Sequence, residues 1–368
     1  MIRLFKVAMS PALYGANAMT ATGFGPNPLL ETLASGYIGQ GPRVEEFEAA
    51  LQKQFDLPRR PVTVNSCTSA LDLALELIGV GPGDAVITTP QTCTATNTPI
   101  VKRHAIPVWA DINGRGLVTA ETVLKAWLQA KDEGLNVKAV MVVDWAGARP
   151  DIDRMRHMLP DNLPIIEDAA HRLPDASPAD YTAWSFQAIK YLTTGDGGAL
   201  LTPASQLKRA KLLRWYGLDR DSSADFRCEQ NIGEVGFKYH MNDIAATIGL
   251  ANLPLAIHNL ERQRRNAMTI SRELRREFYP DSHYWFYPLV LGDGQRDDFV
   301  RHMTERGVEV SQVHARNDKH TGFQYPRRLP GVDMFDSRQI AIPCGWWLTD
   351  DDLAHVIDSV HEFEEREG

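Results

Sequence analysis

The chain has 368 residues, 43% of them hydrophobic and 23% charged, which is an ordinary soluble globular composition with room for two domains and a large core. Its net charge of −8 argues against nucleic acid or an anionic membrane as a general partner, because the overall field attracts neither. Four cysteines without metal-type spacing, no apolar run near ~18 residues and no signal-peptide core after Met1 predict buried free thiols, no bound metal and a cytoplasmic protein.

In chain order, the first clear strand is Pro61 to Ser66, which runs through Cys67, Thr68, Ser69 and Ala70 into the helical pattern Leu71 to Leu77. Free amides and hydroxyls at a helix N-terminus form an anion site, and the plainer reading of the same residues is an N-cap. Further strands are predicted over Ala85 to Pro90, Ile106 to Ile112, Ala139 to Trp145, Pro164 to Ala169, Ala183 to Ala188 and Gly198 to Thr202, most of them near-continuous apolar runs of the kind buried on both faces. Helix-length segments such as Ser69 to Ile78 and Thr119 to Lys131 alternate with them, which signals an α/β layer.

Two strand ends carry chemistry. The run Leu163-Pro164-Ile165-Ile166 ends in Glu167-Asp168-Ala169-Ala170-His171, and a carboxylate there points into the crevice where open α/β sheets bind ligands, unless it caps a following helix. Lys190 closes the strand-like stretch Trp184 to Ile189, directly before the turn Thr193-Thr194-Gly195-Asp196-Gly197-Gly198. A lysine fixed in that way can form an imine with a bound aldehyde, or be merely a solvated charge. Together, the lysine, the carboxylate and the phosphate-type helix start suit pyridoxal 5'-phosphate, with Asp168 holding the ring nitrogen protonated.

From about Asp243 the texture changes: Ile244 to Leu260 and the basic stretch Glu261 to Phe278 read as helices leading out of the sheet, and a helix from Asp350 to Glu365 closes the chain. The expected division is a large domain over 1–250, with an N-terminal segment 1–26, and a smaller α+β domain over 251–368.

The stretches Gly36-Tyr37-Ile38-Gly39-Gln40-Gly41-Pro42, Ser66-Cys67-Thr68-Ser69-Ala70-Leu71, Ile166 to His171, Ser185 to Lys190, Thr193 to Gly198, Gly236 to Ile244 and Ile342 to Asp352 stand in an order that resembles the DegT/DnrJ/EryC1/StrS sugar aminotransferase family. The resemblance implies the PLP-dependent transferase fold type I, with a mostly parallel seven-stranded sheet between helices. It also implies Lys190 as imine partner and proton shuttle, Asp168 at the pyridinium and His171 at the phenolic oxygen. Thr68, Ser69 and Ser185 match phosphate ligands, and Cys67, Cys93 and Gln187 fall among the positions surrounding the cofactor. Lys238 and His240 occupy the segment that crosses to the partner's phosphate in family homodimers, where Asn and Arg are usual. The usual ring-stacking aromatic after the second strand is missing from Gln91 to Asn97, so Cys93, Thr94 or an aromatic from elsewhere must cover the ring.

Because the family's dehydratases carry histidine at the imine position, Lys190 points to transamination, from L-glutamate to the keto carbon of a nucleotide-linked deoxysugar. A dehydratase, an aminotransferase on a non-sugar ketone and a non-catalytic regulator are the alternatives. A nicotinamide Rossmann enzyme is disfavoured, since no Gly-x-Gly-x-x-Gly follows the first strand. Candidate substrate loops are Tyr14 to Phe24, Trp215 to Cys228, His314 to His320 and Trp346-Trp347, with Arg220, Arg227, His314 and Arg316 as candidates for a diphosphate or the donor carboxylate.

Overall fold

A computed structural model of the chain describes residues 1–13, 19–20, 23–24, 27–220, 229–323 and 325–367. A short ribbon, β1 (Met19–Thr20) and β2 (Gly23–Phe24), precedes helices α1 (Pro28–Ala34) and α2 (Pro42–Gln54). The main sheet is built from β3 (Val62–Val64), β4 (Asp84–Thr88), β5 (Ile106–Trp109), β6 (Asn136–Val143), β7 (Ile165–Asp168), β8 (Tyr181–Ser185) and β9 (Gly198–Leu201). Its strand order is β3-β9-β8-β7-β6-β4-β5, and β9 alone runs against the rest. All seven predicted strands therefore fall in one sheet.

Successive side chains of a strand face opposite sides, and both sides are covered. Val140 and Val142 of β6 face one apolar cluster while Ala139 and Met141 face the other. The covering helices include α3 (Cys67–Ile78), α4 (Thr94–Lys102), α5 (Ala120–Asp132), α6 (Ile152–Met158) and α7 (Leu207–Arg214). The motif residues at Gly41 and Asp243 meet, because Asp243 accepts from the amides of Gly41, Arg43 and Val44 and so caps α2. Glu48 on α2 in turn accepts from Thr63 and from the buried Arg214, tying α2 to the β3 edge.

Two expectations need correction. The two helices expected over Ile244 to Phe278 are one, α8 (Asp243–Glu273), which runs through Pro254 and ends before Phe278. Its buried stripe continues past the proline through Ala256, Asn259, Gln263, Ala267 and Ile270, so burial outweighs the one lost backbone bond. The strand before Lys190 ends at Ser185. Phe186 to Leu192 instead form a turn, in which the Lys190 amide bonds to the Gln187 carbonyl and Phe186 buries its ring edge-on to Phe47. Beyond α8, a third apolar cluster gathers the far end of that helix, α9 (Arg296–Glu305), α11 (Asp350–Glu367) and the antiparallel pair β10 (Tyr287–Val290) and β11 (Gln339–Ile342); α10 (Pro330–Arg338) leads into β11. No helix among the described residues is long and apolar enough to cross a membrane.

Candidate active site

Strands β7 and β8 end side by side, with the α3 N-terminus close to them. Helix α3 can approach because β9 begins with Gly198: a Cβ there would lie 2.6 Å from the Cys67 nitrogen and 2.8 Å from the Trp184 oxygen. The resulting cleft of about 240 Å³ is lined by Cys67, Thr68, Cys93, Asp168, His171, Ser185, Gln187 and Lys190. Eight of the eleven sequence-predicted site residues thus share one cavity. Cys93 is half-buried there, not buried as expected, because it belongs to the cavity wall; Cys67 and Cys344 are buried free thiols, and Cys228 lies outside the described residues.

At the α3 start the cap is Ser66, whose Oγ accepts from the Ser69 amide at 3.1 Å. Ser69 is buried away from the cavity, and its hydroxyl is spent on Asn65 Oδ1 at 2.6 Å. The amides of Cys67 and Thr68 have no partner among the described residues, and both residues line the cleft, which leaves donors for an anion there. The hydroxyl reading therefore moves from Ser69 to Thr68 and Ser66, which also lines the cavity.

Asp168 is buried and caps no helix. Its Oδ2 accepts from Thr96 Oγ1 at 2.7 Å, its Oδ1 accepts from the Ala170 amide at 3.1 Å, and Cys67 Sγ stands 3.9 Å from Oδ1. Burial pushes its pKa above the usual carboxylate range, while Thr96, the Ala170 amide and the Lys190 charge pull the other way. Lys190 projects its Nζ over the Trp285 ring, 3.3 Å from the centroid. Desolvation lowers its amine to about 8, against the opposing pull of Asp168.

The aromatic wall comes from elsewhere in the chain. Trp285 is seated by backbone bonds of His283 and Trp285 to the carbonyls of Gly147 and Ala146, at 2.9 and 3.0 Å, just past the end of β6. Its ring lies 4.1 Å from that of His171, which in turn stacks at 5.7 Å and 18° on His314. Burial and the nearby Lys190 charge hold His171 well below the ordinary histidine range and His314 at about 4, so both imidazoles are neutral at pH 7. His171 Nδ1 is buried without a partner. Thr94 is exposed outside the cavity, whereas Cys93 lines it.

The remaining candidates lie apart from the cleft. Lys238 is exposed and His240 packs against the Trp215 ring at 3.8 Å; their backbone continues the β3 edge through bridges to Trp215 and Val64. Burial and the charges of Arg220 and Lys238 lower His240 to about 4, so its imidazole is neutral at pH 7. Arg316, expected as an anion ligand, forks onto Asp318 and also reaches Asp333, and so is already paired. Arg220 donates to the Gln40 carbonyl, and Trp347 Nε1 donates to the Arg3 carbonyl. Arg227 and much of the Tyr14 to Phe24 and Trp215 to Cys228 segments lie outside the described residues. Sequence reading missed Thr96, Thr92 and Trp285; the hydroxyl-rich run Thr92 to Thr96 was a signal for the first two, whereas nothing local marks Trp285.

The profile of the DegT/DnrJ/EryC1/StrS aminotransferase family matches residues 26–361. Among solved structures, the chain is similar to AtS13 from Actinomadura melliaura (34% identity, 98% of each chain covered, TM-score 0.86) and to the sugar aminotransferase CalS13 from Micromonospora echinospora (31% identity, 98% and 100% covered, TM-score 0.86). It is also 28% identical, over 92% of its own length and 94% of the relative's, to the UDP-4-amino-4,6-dideoxy-N-acetyl-beta-L-altrosamine transaminase of Campylobacter jejuni.

Proposed function

The chain belongs to the DegT/DnrJ/EryC1/StrS aminotransferase family and has the fold type I architecture, and from that premise we propose that it moves an amino group from L-glutamate to the keto carbon of a nucleotide-linked deoxysugar with pyridoxal 5'-phosphate as cofactor. One observation carries the reading: a desolvated lysine, a buried carboxylate and a helix start with two unpartnered amides converge on one cavity. The relative from Campylobacter jejuni, whose substrate is a UDP-linked amino sugar, supports the substrate class.

The residues fit the cofactor group by group. The Cys67 and Thr68 amides, with the Thr68, Ser66 and Ser185 hydroxyls, would hold the phosphate. Asp168 would face the ring nitrogen, the unpartnered His171 Nδ1 would face the phenolic oxygen, and Lys190 would bond to the aldehyde carbon. When bound, the cofactor supplies an electron sink for the carbanion left after proton loss from the amino acid.

The chain's own groups do the rest. Thr96 and the Ala170 amide favour the charged form of Asp168 against the effect of burial, and that carboxylate would hold a proton on the ring nitrogen. Lys190, with an amine near 8, sits close enough to working pH to take a proton from the donor carbon and return it to another. Trp285, His171 and His314 close one side of the cleft with neutral rings, which excludes water without adding charge. Residues 251–368 serve as the smaller domain that brings Trp285 and His314 to the cleft. Lys238, beside His240, reaches the cofactor phosphate of the partner subunit in a homodimer.

The test is spectral and chemical. The purified chain should take up pyridoxal 5'-phosphate with a visible absorbance, lose that band on adding L-glutamate, release 2-oxoglutarate, and add an amine to a nucleotide ketosugar as seen by mass spectrometry. Absence of a glutamate-driven change in the loaded protein rejects the donor, and amination of non-sugar ketones alone rejects the acceptor.

A further inference from the structure

A second cavity, of about 360 Å³, opens beside the segment 282–290 and shares no lining residue with the catalytic cleft. Its walls include Trp145, Tyr279, Tyr284, Tyr287, Leu289 and Phe335. Consecutive residues of this segment serve the two cavities: Trp285 lines the cleft and Tyr284 lines the second cavity, while the amides of His283 and Trp285 bond to the Gly147 and Ala146 carbonyls.

Its unsatisfied polar groups are all donors. The Arg115 guanidinium lies 3.5 Å from the centroid of the Tyr279 ring, and its Nη2 is buried without a hydrogen-bond partner. Trp145 Nε1 is buried without a partner as well. The other charged lining groups are engaged, Arg276 with Glu364 and Glu277 with the Tyr279 hydroxyl. Leaving buried donors unpaired is costly, one of them belongs to a cation, and no lining acceptor is buried unpartnered among the described residues. Backbone strain gathers at the same place: Ala146 and Tyr284, both lining residues, hold left-handed φ values of 54° and 52°. Such strain persists where surrounding structure enforces it, commonly at ligand sites.

We propose that this cavity is a binding site for a small amphipathic anion: a flat apolar ring among the tyrosines, bearing a carboxylate, sulfonate or phosphate oxygen that accepts from Arg115 Nη2 and Trp145 Nε1. Concave aromatic walls with few convergent polar groups are the usual form of small-molecule sites, and an arginine stacked on a ring keeps its fork edge available to an oxyanion. The ligand class differs from the substrates of the cleft, and the inference stands on the cavity's own residues.

Two fluorescent probes that differ by one sulfonate test it: 8-anilinonaphthalene-1-sulfonate and neutral N-phenyl-1-naphthylamine, titrated into the full chain and two variants. Arg115→Gln should weaken the sulfonate probe about tenfold or more, the loss of one charge-assisted hydrogen bond, while the neutral probe changes less than about twofold. Val290→Trp, at an exposed residue of the cavity wall, should fill the space and weaken both probes. Circular dichroism establishes that each variant is folded. Equal weakening of both probes by Arg115→Gln overturns the anion recognition, and wild-type binding of both probes to Val290→Trp overturns the site itself.

Discussion

Thr96 Oγ1 stands 2.7 Å from Asp168 Oδ2 and 2.8 Å from Thr92 Oγ1, so two hydroxyls in series donate towards one buried carboxylate. Burial alone favours a protonated Asp168, and the hydroxyl relay opposes it. Thr96→Val removes a donor to a charged group and leaves Thr92 without its acceptor, at a cost of about 1–3 kcal/mol. The pKa of Asp168 should rise further, and kcat should fall about 5- to 100-fold, with Thr96→Ser close to wild type. A Thr96→Val enzyme with unchanged kcat would show that the relay has no bearing on the carboxylate.

Asp168→Asn keeps the shape and an acceptor oxygen but removes the charge that would hold the ring nitrogen protonated. Proton abstraction should slow by a factor on the order of 100 or more, about 2.7 kcal/mol in barrier, with a smaller loss of cofactor affinity. Isotope-sensitive single-turnover rates measure this. A variant keeping more than about half of wild-type kcat, less than ~0.5 kcal/mol, contradicts the role.

Lys190→Ala should abolish the visible band and the borohydride-trappable bond to the cofactor while the fold persists. The lysine amine rests on the Trp285 face, a cation–π interaction of about 0.5–2 kcal/mol. Thermal unfolding should therefore shift little. A borohydride-stable adduct in the variant, with wild-type turnover, would move the assignment to another amine.

The pH dependence follows from the sign of the same shift. Desolvation puts the Lys190 amine at about 8, below its ordinary value, so the neutral form that attacks an aldehyde dominates above that pH and is lost below it. The initial rate of cofactor capture by the apo chain should rise about tenfold per pH unit up to roughly 8 and then level off. A plateau reached only above pH 10 would mean that the amine is solvated.

The sheet was legible because its strands are apolar on both faces, as Val140 beside Met141 illustrates, and because helical segments separate them. Asp168 was legible for the same reason: the acidic pair Glu167-Asp168 ends a buried run. The turn at Lys190 was not, since Phe186 and Ile189 carry strand-like side chains yet are held by tertiary packing and by local bonds such as the Ile189 amide to Gln187 Oε1. Ser66 and Ser69 differ in role through capping geometry, which composition does not encode. Trp285 reaches the cleft through backbone pairing with Ala146 and Gly147, more than a hundred residues earlier in the chain, and no local pattern announces such a contact.

The cross-subunit role of Lys238 is the assignment that departs furthest from the family's usual residues. Neither Lys238 nor His240 lines the cleft of its own chain, and Lys238 is exposed at the β3 edge, where its charge is available to a neighbour. His240, neutral at pH 7, can donate one hydrogen bond but brings no charge. A cation reaching a phosphate contributes roughly 1.5–3 kcal/mol, so replacing Lys238 and His240 together by Ala should raise the cofactor Kd at least about tenfold. Mixing this double variant with Lys190→Ala then separates the two geometries. If the segment serves the partner, each mixed dimer holds one site with both Lys190 and the cation and one site with neither. With free exchange at equal amounts about half the dimers are mixed, so activity at limiting cofactor should recover to roughly a quarter of wild type. No recovery despite proven exchange would assign the segment to its own subunit's site, and an unchanged Kd in the double variant would remove it from the phosphate altogether.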